Sequence, residues 1–156
     1  MNKAVINSDG RSLPSWSEMA RKYSLKVLDF LNHDKWELSV LFCGDKKMKE
    51  LNYQYRKKNE ATDILSFNLG ETVKEGGKKI YYPGDIIISL DTLCKNAKKF
   101  KISEDEELRR LLIHGILHLS GMEHKTLKKS EPMLILQEEI LEKLKDEHII
   151  PKGEKN

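Results

Sequence analysis

Residues 114–124 read HGILHLSGMEH, and the helix carrying them starts at Ser103-Glu104-Asp105-Glu106. Ser103 and Glu106 have the form of a capping box, in which hydroxyl and carboxylate each satisfy a free backbone N–H at the helix start. The acids of that first turn also suit the positive end of a helix dipole. Behind them Leu108, Leu111, Leu112, Gly115, Ile116 and Leu119 recur at helical spacing, an apolar stripe wide enough for a central, buried helix. Gly121 stands where a helix C-terminus favours a left-handed residue. His114 and His118 are four apart, so their side chains share one helix face with Cβ atoms about 5–6 Å apart. Both can then reach one Zn²⁺ at about 2.0–2.1 Å per bond. A chain that turns back at Gly121 delivers His124 to the same point. Three neutral imidazoles leave a fourth position for water, which is the arrangement of a catalytic zinc; structural zinc usually closes with four protein ligands. The competing reading is three unrelated histidines. It leaves unpaired imidazoles among Leu111, Ile113, Ile116, Leu117 and Leu119, where an unsatisfied polar group is costly.

Working outward, Ser15-Trp16-Ser17-Glu18 has the form of another capping box, ahead of a helix burying Met19, Tyr23, Val27, Phe30 and Leu31. WELSVLFC, residues 36–43, is strand-like. Asp45 starts a helix with Met48, Leu51 and Tyr55 on one side, and RKKNEA, residues 56–61, is a polar loop. TDILSFN, residues 62–68, reads as a strand. Gly70, Gly76 and Gly77 lie in a loop or hairpin, Lys79 to Tyr82 forms a short strand, and Pro83-Gly84 is a turn. DIIIS, residues 85–89, is a strand whose apolar run predicts burial on both faces. Leu90 to Phe100 is a helix. Ser130 caps a last helix, with Pro132 in its first turn and Leu134, Ile135, Ile140, Leu141 and Leu144 on its buried side. The fold class is α+β: a small, mostly parallel mixed sheet with helices on both sides, built around the central histidine helix. A single domain is expected over residues 1–150, with a polar tail at 151–156.

With 156 residues the chain is long enough to bury a core without staples. Charged residues make up 34% and hydrophobic ones 38%, as in a small protein with a charged surface. No apolar run exceeds four residues, which excludes a membrane span of the ordinary kind. The N-terminus has too short an apolar stretch for a signal peptide, so a cytoplasmic location is expected. Cys43 and Cys94 form no CxxC pair and read as reduced, buried thiols. The net charge of +3 weakly favours a polyanionic partner.

The histidine spacing is similar to the HExxHxxGxxH of metzincin proteases. The glutamate that serves those proteases as general base is replaced here by Gly115, which argues against peptide hydrolysis. On the sequence alone, Gly115 is expected to open space beside the metal for a bulkier substrate.

HGILHLSGMEH resembles the signature of the bacterial YbeY family, HGxLHLxGyDH, with Met122 for the aromatic and Glu123 for the aspartate. LNYQYRKKNEATDILSFN, residues 51–68, resembles the family's LNxxYRxxxxPTDVLSFP, with Ala61 and Asn68 at its two prolines. PGDIIIS, residues 83–89, resembles its GDIxIS strand. The resemblance spans roughly residues 36–145. It implies a zincin-like fold and a zinc-dependent, single-strand-specific endoribonuclease with one Zn²⁺ held by His114, His118 and His124. It also implies maturation of the 16S rRNA 3′ end and ribosome quality control, with single-stranded rRNA and the small ribosomal subunit as partners.

By the same resemblance Arg56 is the functional arginine, together with the three histidines as the catalytic set. A guanidinium can grip phosphate oxygens with two parallel hydrogen bonds. Without the resemblance, YRKK reads as a solvated basic loop. Glu123 can orient a ligand or act as a base. Asp63 and Asp85 can support ligands or form turns, and Ser66 and Thr62 are expected to be structural, with lining the cleft as the alternative. Lys57, Lys58, Lys98, Lys99 and Lys101 can hold an RNA backbone. Tyr53 and Tyr55 are expected in core packing, with base stacking as the alternative. His33 and His148 carry no assigned function. Two other readings remain: a non-catalytic ribosome-assembly factor with a structural metal, and a zinc hydrolase of a small molecule.

Overall fold

Ile86-Ile87-Ile88 has no polar face to offer water. In the computed structural model, which describes residues 1–153, all three side chains are buried. They sit in a strand that crosses the middle of the sheet. The elements run β1 (Lys3–Ser8), α1 (Ser17–Phe30), β2 (Glu37–Cys43), α2 (Asp45–Arg56), β3 (Ile64–Glu75), β4 (Lys78–Ser89), α3 (Leu90–Phe100), α4 (Glu104–Leu119) and α5 (Pro132–Lys143). One four-stranded sheet has the order β1-β2-β4-β3. β1 and β4 flank β2 in parallel, and β3 runs antiparallel to β4. The expected α+β class and mostly parallel mixed sheet are both present. The polar tail assigned to residues 151–156 falls partly on 154–156, outside the described residues. Among the described residues, no helix is long and apolar enough to cross a membrane.

Strand alternation sorts the core into two layers. Leu38, Val40 and Phe42 of β2 and Ile86 and Ile88 of β4 join the buried residues of α1, α3, α4 and α5 in the larger cluster. Ile87 points the other way and meets Cys43, Leu65 and Met48 of α2 in the smaller one. Helices therefore cover both faces, unequally: α2 covers one, and the rest crowd the other.

Several local expectations give way to tertiary contacts. Pro83-Gly84 is not a turn, because β4 runs straight through it. Gly84 instead has φ +136° and lies opposite Asn68 beside a register shift between Asn68 and Glu71. A Cβ there would lie 1.9 Å from the Phe67 carbonyl oxygen, so only glycine allows the strands to pair so closely. The hairpin turn is Gly76-Gly77, both at positive φ. α1 begins at Ser17 with Trp16 at its cap position, and Glu18 pairs with Arg21. Its buried face is Ala20, Tyr23, Ser24, Val27 and Leu28, packed toward β1 and α4, while Met19 and Phe30 are exposed. α5 is capped at Glu131, not Ser130. It buries Met133, Gln137, Ile140 and Leu141, leaving Leu134 and Leu144 half-buried and Ile135 exposed. Cys43 is buried, and burial pushes its thiol up to about 11; Cys94 is only half-buried.

Gly115 does not open space for a substrate. A Cβ on it would lie 2.8 Å from Cδ1 and 3.0 Å from Cγ1 of Ile86, and 3.1 Å from Cδ1 of Ile64. The glycine faces the sheet and lets α4 lie against it. Gly115→Val is therefore expected to destabilise the protein by about 1–3 kcal/mol through overpacking. Urea unfolding monitored by circular dichroism measures this; an unchanged midpoint would show that the contact yields freely.

Candidate metal centre

Helix α4 is held at its start by the predicted cap: Ser103 Oγ accepts from the Glu106 N–H at 3.0 Å. Asp105 has a larger part than the dipole contact read from sequence. Its buried carboxylate accepts from the N–H groups of Ile149 and Ile150, at 2.7 and 2.8 Å, and from Arg109 Nε at 3.0 Å. His148 Nδ1 lies 3.0 Å from the same group. Burial alone would raise the Asp105 pKa; the hydrogen bonds from His148, Ile150 and Ile149 hold it below the usual carboxylate value.

At the other end, Gly121 has φ +95°. Its N–H bonds the His118 carbonyl and that of Met122 bonds the Leu117 carbonyl, both at 3.0 Å. This is the paired pattern of a Schellman turn, which sends the chain back across the helix end. His124 thereby joins His114 and His118, with ring centroids 4.6, 5.2 and 5.4 Å apart. One nitrogen from each ring lies within 4.8 Å of the other two, a group that could hold a metal ion.

The hydrogen bonds show which nitrogens face inward. Nδ1 of His114 lies 2.6 Å from Gln137 Oε1, Nδ1 of His118 lies 3.1 Å from the Met122 carbonyl, and Nδ1 of His124 lies 2.9 Å from the Thr126 carbonyl. An oxygen acceptor at each Nδ1 assigns the proton to that nitrogen and leaves Nε2 as a bare lone pair. Nε2 of His114 and His118 then face one another at 3.1 Å. Two lone pairs at that distance repel unless a cation lies between them. Two bonds of about 2.0–2.1 Å at a tetrahedral angle would put such nitrogens about 3.3–3.4 Å apart. The donor set thus fits a small divalent ion that accepts imidazole. Burial also lowers the pKa of both His114 and His118, which keeps the rings neutral at neutral pH.

The three rings line a cleft of about 490 Å³ together with Arg56, Ile64, Ser66, Phe67, Asn68 and Glu123. Arg56 comes from the last turn of α2, on the opposite wall from α4. Its charge acts on His118, whose pKa is lowered chiefly by burial and in small part by Arg56. Glu123 Oε2 is 3.7 Å from His118 Nδ1. Ser66 lines the cleft, the alternative to a structural role, while Thr62 does not and reaches Asp63. Lys57, Lys58, Lys98, Lys99 and Lys101 are exposed and line no wall of the cleft. Tyr53 and Tyr55 are also exposed, against the expectation of core packing. His33 stacks on Trp36 at 3.6 Å between ring centroids and meets Ser120 Oγ at 2.9 Å.

Neither Asp63 nor Asp85 supports a histidine. Asp63 is tied to Thr62 and Asn96, and Asp85 is exposed on β4. That task falls to Gln137, whose amide nitrogen donates to Glu138 at 3.1 Å, which turns its oxygen to His114. Glu138 is in turn held by Arg110 at 3.0 Å through two parallel bonds. A signal for Gln137 was present: it is a polar residue in register with Met133 and Ile140-Leu141 on the buried face of α5.

Two outcomes follow from this geometry. Gln137→Leu keeps the volume but removes the acceptor from His114, and is expected to weaken zinc binding about 10–100-fold in competition with a chromophoric chelator. Equal affinity would mean that the amide is only packing. Zinc affinity is also expected to be flat above about pH 7 and to fall below about pH 6.5, where protons compete for the rings. The depressed values of His114 and His118 extend the flat region downward, so a decline starting well above pH 7 would contradict the assigned ring states.

The sequence profile described as Endoribonuclease YbeY matches residues 5–145. Among individual relatives, Endoribonuclease YbeY of Treponema pallidum (strain Nichols) is 41% identical over 142 residues, covering 90% of this chain and 89% of its own. The protein of the same name from Treponema denticola is 46% identical over 125 residues, covering 80% and 81%. The solution structure of TM1509 from Thermotoga maritima is similar with a TM-score of 0.58 and 27% identity, over 92% of this chain and 90% of that one. A match over nearly the whole chain, joined to the three convergent histidines, establishes that this chain belongs to the YbeY endoribonuclease family.

Proposed function

We propose that the protein is a zinc-dependent endoribonuclease that cuts single-stranded RNA, acting in 16S rRNA 3′-end maturation and ribosome quality control. The catalytic unit is residues 1–150. Its substrate puts it in the cytoplasm, with the small ribosomal subunit as partner. The observation that carries this reading is one cleft that joins three inward lone pairs to a guanidinium.

His114, His118 and His124 hold the metal through Nε2, their rings kept in place by Gln137, Met122 and Thr126. When bound, Zn²⁺ supplies Lewis acidity toward a phosphoryl oxygen and activates water. Arg56 grips the scissile phosphate and offsets the charge that gathers on its oxygens as the bond breaks. Ser66 and Asn68 offer neutral hydrogen-bonding groups on the same wall. Glu123 stands on the Nδ1 side of His118, where its charge favours the imidazole orientation that points Nε2 inward. The absence of a glutamate at position 115, which faces the sheet, is consistent with a phosphodiester rather than a peptide substrate.

Cleavage of a 5′-labelled single-stranded RNA by zinc-loaded, tag-free protein tests the reading. Arg56→Ala is expected to lower kcat about 10²–10³-fold, as for loss of one transition-state donor. His118→Ala is expected to abolish both cleavage and zinc binding while leaving the circular dichroism spectrum intact. Undiminished cleavage in both variants would identify a contaminating nuclease and favour a non-catalytic assembly factor.

A further inference from the structure

Arg56 is followed by two exposed lysines, Lys57 and Lys58, and preceded by an exposed tyrosine. The ring of Tyr55 is 58% exposed, yet it is not isolated. Its centroid lies 5.0 Å from that of Phe67, at an interplanar angle of 60°. Phe67 itself lines the cleft with Arg56 and the three histidines. An edge-to-face pair leaves part of the exposed Tyr55 ring uncovered. Phe67 is half-buried against Cys43, Met48, Leu65 and Ile87, so the open aromatic surface is chiefly that of Tyr55, which adjoins this cleft residue and follows α2 outward beside Arg56, Lys57 and Lys58. Tyr53 differs: the Lys57 ammonium lies 6.0 Å from its ring centroid, and it does not adjoin a cleft residue in this way.

We propose that Tyr55 and Phe67 form a stacking platform for one unpaired nucleobase of the RNA strand whose phosphate is held by Arg56. The occupant must carry a flat, apolar face and a nearby negative charge, and a nucleotide of a single strand has both. Base–aromatic stacking tolerates any sequence because every base has a π-face. In a duplex those faces are already stacked on neighbouring pairs, so the platform gives this chain a physical means of preferring single strands. Tyr55 acts here as a positioning residue, since it touches a base and not the reacting atoms. The inference rests on the RNA-cleaving reading above and adds the contact that selects the strand.

The test compares the zinc-loaded full chain with Tyr55→Leu and Tyr55→Phe. Leucine keeps apolar packing on Phe67 and removes the π-face; phenylalanine keeps the face. For a single-stranded oligoribonucleotide, Tyr55→Leu is expected to raise KM about 5- to 150-fold, with Tyr55→Phe near wild type. A set of oligoribonucleotides, each with one abasic position, gives the readout that a packing role would not move. One position next to the cut is expected to cost the wild type the same factor and to cost Tyr55→Leu nothing more. Normal KM in Tyr55→Leu, or an abasic penalty unchanged by the substitution, overturns the platform and leaves the nuclease reading standing. No cleavage of single-stranded RNA by the wild type overturns both.

Discussion

At Gly115 the backbone of α4 lies so close to the sheet that a single added carbon would overlap the end of the Ile86 side chain and crowd that of Ile64. That contact sets the rotation of the helix. Once residue 115 faces the sheet, the helical period turns His114 and His118 toward the cleft between α4 and the end of α2. The Schellman turn at Gly121 then closes the third side by returning His124. Two glycines, one for close approach and one for a left-handed backbone, thus bring three imidazoles together, and the loop beyond Gly121 holds the third through the Thr126 carbonyl.

The site depends equally on what stands behind the rings. Each Nδ1 meets an oxygen, two of them backbone carbonyls made available by the turn itself and one the Gln137 side chain from α5. This outer layer commits the lone pairs inward and holds them in mutual repulsion that a cation relieves. The chain Gln137–Glu138–Arg110 ties that layer to α4 again, so α5 and α4 brace one another across the histidine face. Asp105 does the corresponding work at the start of α4, where it captures the N–H groups of Ile149 and Ile150.

The cleft wall opposite α4 has a different character. It is built from the last turn of α2 and the first half of β3, and it offers a guanidinium and a half-buried aromatic ring in place of imidazoles. The face of the sheet under α2 has only the small cluster around Met48, Leu65 and Ile87. At the end of α2, Tyr53 and Tyr55 are exposed and Arg56 lines the cleft.

The sequence by itself determined the elements whose signals are local and strong. The Ser103 cap, the apolar stripe of α4, the histidine spacing, the stop at Gly121 and the doubly buried Ile86–Ile88 strand all follow from periodicity and backbone chemistry, and each is where those rules put it. Tertiary structure decided whatever depends on a neighbour distant in the chain. It carried β4 through Pro83-Gly84, because pairing with β3 outweighs a local turn preference. It rotated α1 away from Met19 and Phe30, turned Gly115 toward the sheet instead of the substrate, and chose Gln137 over Asp63 and Asp85 to hold His114. Spacing along a helix reports which side chains share a face; only packing between elements reports what that face meets.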